Sequence, residues 1–328
     1  MIQVSVVTGF LGSGKTTLIG HILGAPGFAR TAVIVNEFGE IGLDHDLIAS
    51  SDETLLTLTT GCLCCAVRGD LVETLLDLRR RHDAGEIAYD RVLIETSGLA
   101  DPAPILHALM TDPGVTAGHA IDSVVTVADA VHAEATLDRH IEARRQVALA
   151  DRLVLSKTDV AGDAAALRAR LGAMNPGAEI LLASEVTPET LFTASDPSAR
   201  ALRMAHLPTQ PAVSPFGQAR HSDGIDTFSL VRDAPVPALA LTLLLQALTE
   251  HCGGRLLRVK GLVDIAEMPG RPAVIHGVQH VFSPPDFLER WPSDDHTTRI
   301  VFIVRDVPRH FPARLLAAIE AEVRDALG

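Results

Sequence analysis

Four short stretches carry side chains whose types and spacing could do chemistry. The first is Gly9-Phe10-Leu11-Gly12-Ser13-Gly14-Lys15-Thr16-Thr17. Gly9, Gly12 and Gly14 allow a tight turn whose N–H groups point inward at a phosphate. Lys15 is spaced to reach the β- and γ-phosphates, the Thr16 hydroxyl is placed for Mg²⁺, and Ser13 and Thr17 belong to the same cradle. The second is Gly61-Cys62-Leu63-Cys64-Cys65. Thiolates are soft ligands for Zn²⁺, Cu⁺ and related ions. Cys62, Cys64 and Cys65 converge if the loop turns, and they leave one position of a tetrahedron open. A redox-active thiol pair or buried structural cysteines are the other readings. The third is Arg91-Val-Leu-Ile-Glu95-Thr-Ser-Gly98. Glu95, at a strand end, suits an Mg²⁺ contact or the positioning of a water. Gly98 would let a backbone N–H approach a γ-phosphate.

A fourth stretch, Ser156-Lys157-Thr158-Asp159, resembles the Asn-Lys-x-Asp guanine motif of GTPases, with Ser156 in the Asn position. An ionised carboxylate only accepts hydrogen bonds. Guanine offers N1–H and N2–H₂ together and adenine has no such pair, so Asp159 favours GTP over ATP. The Lys157 stem can lie along the base.

These residues need elements to hold them. Ile2–Thr8 is an apolar, β-branched run before the glycine loop, and a helical pattern follows it, which is the strand–loop–helix context of a phosphate-binding loop. Further strands are expected at Thr31–Asn36, Thr54–Thr59, Arg91–Thr96, Ser123–Ala128, Arg152–Leu155 and Glu179–Ala183, and helices at Val67–His82, Leu137–Leu149 and Ala164–Leu171. Alternation of this kind predicts an α/β fold with a doubly wound, mostly parallel sheet, whose ligands bind at the carboxyl ends of the strands. The expected division is a nucleotide domain over 1–195, a Pro-rich linker over 196–224, and a smaller α+β domain over 225–328. In the last, strands are expected at Asp226–Val231, Gly254–Ile265, Pro272–Phe282 and Arg299–Arg305, with helices Val236–Cys252 and Ala313–Leu327. His276 and His280 would then share a strand face, and Cys252 reads as core.

Composition narrows the class. Hydrophobic residues make up 47% and aromatic residues 4%, so the core is aliphatic, as in a parallel sheet covered by helices. The net charge of −13 argues against nucleic acid or an anionic membrane as main partner. No apolar run reaches membrane-spanning length, and no basic leader precedes the first strand, so a cytoplasmic protein is expected. In that reducing compartment, three clustered cysteines of the chain's four favour metal or redox chemistry over disulfides.

Taken together, the glycine loop, Val35-Asn36-Glu37-Phe38-Gly39-Glu40-Ile41-Gly42-Leu43-Asp44, Gly-Cys-Leu-Cys-Cys, Glu95-Thr-Ser-Gly98-Leu-Ala-Asp-Pro and Ser-Lys-Thr-Asp resemble the CobW-type P-loop GTPases, in the family's order. His221-x-Asp-Gly-Ile225 and Leu256-Leu-Arg258-Val-Lys260-Gly261 look like its C-terminal domain. The resemblance implies a metallochaperone GTPase that binds GTP and GDP with Mg²⁺, and carries Zn²⁺ or Co²⁺ to a client metalloprotein. It implies that 36–46 is a switch loop, with Glu37 an oxygen ligand beside the cysteines and Glu40 facing Mg²⁺ together with Thr16 and Glu95. The C-terminal domain would present a surface to the client or to a second protomer. Hydrolysis is expected to be slow unaided, because the sequence assigns no arginine finger in cis. A redox-sensing regulatory GTPase and a cobalt-handling GTPase of cobalamin synthesis are the alternatives.

Overall fold

The computed structural model describes residues 1–25, 28, 30–36, 55–58, 64–187, 190–191 and 224–327; residues 36, 55–58, 64–68 and 327 are described by backbone alone. The described residues divide into two compact units, Met1–Arg170 with Ala178–Ala194, and Leu171–Gly177 with Ser195–Gly328. The expected linker, 196–224, lies outside the described residues except Gly224.

In the first unit, strands β1 (Ile2–Thr8), β2 (Thr31–Asn36), β3 (Leu55–Leu58), β4 (Arg91–Thr96), β5 (His119–Asp129), β6 (Arg152–Ser156) and β7 (Glu179–Leu182) form one sheet in the order β3-β2-β4-β1-β5-β6-β7. Every pairing is parallel. All strands therefore end at the same edge, where the phosphate loop leaves β1. Val4, Val6 and Val7 of β1 and Val92, Leu93 and Ile94 of β4 are buried, because helices cover both faces and each side chain meets one. Helix α1 (Lys15–Leu23) follows the loop, and buries Leu18, Ile19 and Ile22. Helix α2 (Cys64–Asp83) turns Leu71, Leu75 and Leu78 inward and ends in Arg80, Arg81 and His82, which suits the negative end of its dipole.

Helices α3 (Ala103–Thr111) and α4 (Pro113–Thr116) arise where none is expected. In α3, Ala103, Ile105, Leu106, Ala108 and Leu109 are buried, and the outer positions include the apolar Pro104 and Met110, so the sequence shows no polar face to mark a surface helix. Asp112 starts α4, its carboxylate accepting the N–H groups of Gly114 (2.9 Å) and Val115 (3.1 Å). The stretch expected as one helix over Leu137–Leu149 is two, α5 (Ala133–Arg139) and α6 (Ile141–Leu149), because His140 between them is extended at φ −122° and ψ 118°. Helices α7 (Thr158–Ala161) and α8 (Ala165–Met174) complete this part of the chain.

The second unit carries β8 (Ile225–Arg232), α9 (Ala238–Cys252), β9 (Leu256–Val263), β10 (Ala273–Val278), β11 (Val281–Phe282), β12 (Asp286–Phe287), β13 (Thr298–Arg305) and α10 (Phe311–Leu327). The sheet is antiparallel, in the order β11-β10-β9-β13-β8, with β12 beside β10. Phe228, Leu244, Leu248, Val259 and Phe302 form its core, with the Phe228 and Phe302 rings stacked at 5.5 Å. The expected long strand Pro272–Phe282 is instead a hairpin. Gln279 takes φ 52°, the chain reverses, and Val278 pairs with Val281. His280 therefore lies in the turn, and does not share a strand face with His276. Among the described residues no helix is long and apolar enough to cross a membrane.

One buried group gives the first unit an acid limit. His119 opens β5, is 2% exposed, and its Nε2 lies 3.5 Å from the Tyr89 hydroxyl. Burial holds its imidazole below the usual histidine range, with the nearby Val115 backbone opposing this and Arg79 adding to it. The unfolded chain then takes up a proton near pH 6.5 that the folded chain refuses until lower pH. This contribution to stability is whole above about pH 6.5 and is lost as the pH falls below it. Urea denaturation at about pH 7 and pH 5 is expected to show a smaller drop for His119→Gln than for wild type. Parallel drops would count against this assignment.

Candidate nucleotide-binding site

The glycine loop folds as a cradle because its sequence permits nothing bulkier. Gly9 takes φ 146°, and a Cβ there would lie 2.4 Å from the Val127 carbonyl oxygen on β5. The Ser13 N–H donates to the Phe10 carbonyl at 3.1 Å, closing the turn. Lys15 is buried, its Nζ donating to the carbonyls of Gly9 (3.0 Å) and Phe10 (3.3 Å). The ammonium is thus held over the loop by the loop's own backbone. Thr17 follows on α1.

Strand register brings the carboxylate to this loop. Val7 of β1 pairs with Glu95 of β4, so the two strands end side by side. The Thr16 hydroxyl donates to Glu95 Oε1 at 2.9 Å, and Glu95 is only 3% exposed. A hydroxyl and a carboxylate in contact are hard oxygen donors of the kind that fit Mg²⁺.

Gly98 lies just beyond. A Cβ built on it would stand 2.7 Å from the Leu11 nitrogen and 2.7 Å from Leu11 Cδ2, so the loop after β4 touches the phosphate loop backbone to backbone. The Gln146 side chain and the Arg145–Asp101 ion pair (2.8 Å) hold that loop from α6.

The guanine-type motif follows β6, whose Ser156 pairs with Asp129 of β5. The Ser156 hydroxyl donates to the Ser13 carbonyl at 2.6 Å, tying the end of β6 to the phosphate loop. Lys157 adopts φ 57°, and its Nζ donates to the Gly12 carbonyl (2.7 Å) and pairs with Asp129 Oδ2 (2.7 Å). Burial alone would raise the Asp129 pKa. Hydrogen bonds from Lys157, His132 and the Val131 N–H outweigh it, and hold the carboxyl below its usual range. Asp159, in the first turn of α7, is exposed, as a contact to an incoming base requires. Sequence reasoning missed Asp129. Its signal was position, at the end of the strand adjoining the motif.

The cysteine motif is only partly within the described residues. Cys64 and Cys65 open α2. Their side chains, together with Cys62, Glu37 and Glu40, lie outside the described residues. β3 runs parallel to β2, so the strand leading to the motif ends at the phosphate-loop edge. Among the described residues no cluster of three His, Cys, Asp or Glu could hold a metal ion.

Comparison with known proteins agrees with this arrangement. Residues 3–182 match the CobW/HypB/UreG nucleotide-binding domain, and residues 225–321 the C-terminal domain of the cobalamin synthesis protein cobW. The chain is 35% identical over 309 residues to the zinc chaperone YjiA of Escherichia coli, covering 94% of this chain and 95% of that protein. It is 31% identical over 365 residues to the zinc chaperone CobW of Pseudomonas aeruginosa, covering 99% and 92%. The crystal structure of Zn(II)-bound YjiA GTPase from E. coli superposes with a TM-score of 0.72 at 28% identity, covering 97% of this chain and 98% of that one. A phosphate loop, an acidic strand end and a guanine-type motif at one sheet edge, followed by a second unit matching the family's own C-terminal domain, mark this chain as a member of the CobW family.

Proposed function

We propose that this chain is a GTP-hydrolysing metallochaperone, which binds a transition metal, zinc, through Cys62, Cys64 and Cys65 and passes it to a client protein under nucleotide control. The observation that carries this reading is the gathering of nucleotide chemistry at the sheet edge where β3 ends and the cysteine motif follows. The names of the full-length relatives, zinc chaperones in E. coli and P. aeruginosa, support the choice of metal.

In this reading Gly9, Gly12, Ser13, Gly14 and Thr17 wrap the phosphates, and Lys15 exchanges the Gly9 and Phe10 carbonyls for phosphate oxygens. Thr16 and Glu95 would hold Mg²⁺, with Glu40 as a further oxygen; when bound, the ion neutralises charge on the β- and γ-phosphates. Glu95 also orients the attacking water. The Gly98 N–H meets the γ-phosphate, and Asp159 reads guanine while Lys157 covers the base. The loop that begins at Glu37 orders on GTP and adds Glu37 to the three thiolates. Cargo affinity and nucleotide affinity are then linked reciprocally: if GTP tightens zinc, zinc tightens GTP by the same factor. The client is a metalloprotein, met by the C-terminal unit or by a dimer of the chain.

Removing one thiolate tests the metal assignment. Cys64→Ala and Cys65→Ala are each expected to weaken Zn²⁺ binding by roughly a hundredfold, since a soft anionic ligand is replaced by water. Competition against a chromophoric chelator reads this directly. Wild-type affinity in both variants and both nucleotide states would overturn it.

A further inference from the structure

We propose that Gln146 is a positioning residue, which fixes the loop after β4 in the shape that meets the third phosphate. The inference rests on the GTP-binding reading above. The loop of residues 97–102 leaves β4 after Thr96, next to Glu95 in sequence, and touches the phosphate loop where Gly98 meets Leu11. One turn within it is self-closed, the Ala100 N–H donating to the Ser97 carbonyl at 3.0 Å. The carbonyls of Gly98 and Ala100 are satisfied instead by one side chain, Gln146 Nε2, at 3.1 and 3.0 Å. Both partners are acceptors, so the amide nitrogen must face them. Gln146 is 1% exposed, so little water competes for those bonds. They fix two peptide planes, those following Gly98 and Ala100.

The brace is itself held. The backbone carbonyl of Gln146 accepts the Thr126 hydroxyl at 2.8 Å, which ties α6 to β5. Next to it, Arg145 pairs with Asp101 at 2.8 Å, and the Asp101 carboxylate accepts the Ala103 N–H at 3.0 Å. Just before α6, His140 packs against the phosphate-loop ring of Phe10, centroids 4.5 Å apart. His140 thus touches the phosphate loop while α6, which starts at the next residue, holds the loop after β4, and the chain then runs into β6 and the base motif. A diphosphate needs the cradle and the base contact; only a triphosphate needs the braced loop.

Gln146→Glu keeps the shape but makes the group acceptor-only when ionised, against two carbonyls. Binding of fluorescent GDP and of a non-hydrolysable GTP analogue, both with Mg²⁺, would be measured beside single-turnover GTP hydrolysis. The preference for the GTP analogue over GDP, and the hydrolysis rate, are each expected to fall roughly ten- to hundredfold, with GDP affinity changed less than about threefold. Equal loss of both nucleotides in a variant with wild-type melting, or no loss of either, would overturn the proposal. Should Gln146→Glu not fold, Arg145→Met decides. A drop in the preference of about threefold or more supports the brace, and an unchanged preference overturns it. A wild-type protein that binds neither nucleotide would defeat the GTP reading and this inference with it.

Discussion

Asp159→Asn is expected to lower the affinity for GTP by about a hundredfold or more, and to make XTP the better ligand. The carboxylate accepts from guanine N1–H and N2–H₂ together, and both bonds are charge-assisted. Asn keeps one acceptor and sets an NH₂ group against the guanine amino group. Xanthine carries a carbonyl in place of that amino group, so the Asn NH₂ then finds a partner. Asp159 is exposed on the short helix α7, so the change should leave melting unaffected. Competition of GTP and XTP against fluorescent GDP is the measurement. A variant that still prefers GTP would mean that the base is read elsewhere.

Gly98→Ala is expected to slow GTP hydrolysis about a hundredfold while GDP affinity stays within roughly threefold. The added methyl would stand 2.7 Å from the Leu11 nitrogen and 2.8 Å from its Cα. Both are backbone atoms, so no rotamer change relieves the overlap and one loop must move. Gly98 is not among the glycines with positive φ, so alanine meets only this contact and no dihedral penalty. A displacement of about an ångström at the reacting phosphate is enough for a loss of this size. Gly69→Ala is the control, since its methyl would meet nothing within 4 Å. Wild-type hydrolysis in Gly98→Ala would remove Gly98 from the γ-phosphate contact.

What was legible in the sequence was local or strongly apolar. Ile2–Thr8 and Arg91–Thr96 stand where their β-branched runs put them, because a strand buried on both faces has no other composition. The phosphate loop reads from its glycines. The partners of those residues were less legible, because they come from distant strands. Lys157 on Gly12 and Asp129, and Ser156 on Ser13, follow from sheet order rather than from any motif. Gln146 reads as an ordinary polar helix residue, and only the fold makes it a buried donor. The break at His140 carries no glycine or proline. The turn at Gln279 and His280 likewise lacks Gly, Pro, Asn or Asp, so an unbroken run was expected where a hairpin forms. Glu37, Glu40 and Cys62 lie outside the described residues, and their roles stand on the family resemblance and the chemistry of thiolates.

The central claim is that nucleotide state sets metal affinity. A Zn²⁺ competition titration on metal-free, reduced protein tests it most directly, in three states: without nucleotide, with Mg²⁺·GDP, and with Mg²⁺ and a non-hydrolysable GTP analogue. A nucleotide-controlled cargo site predicts at least a tenfold difference between the last two states, about 1.4 kcal/mol of coupling. Equal affinity in all three would contradict it, and would leave the cysteines a site that GTP does not govern.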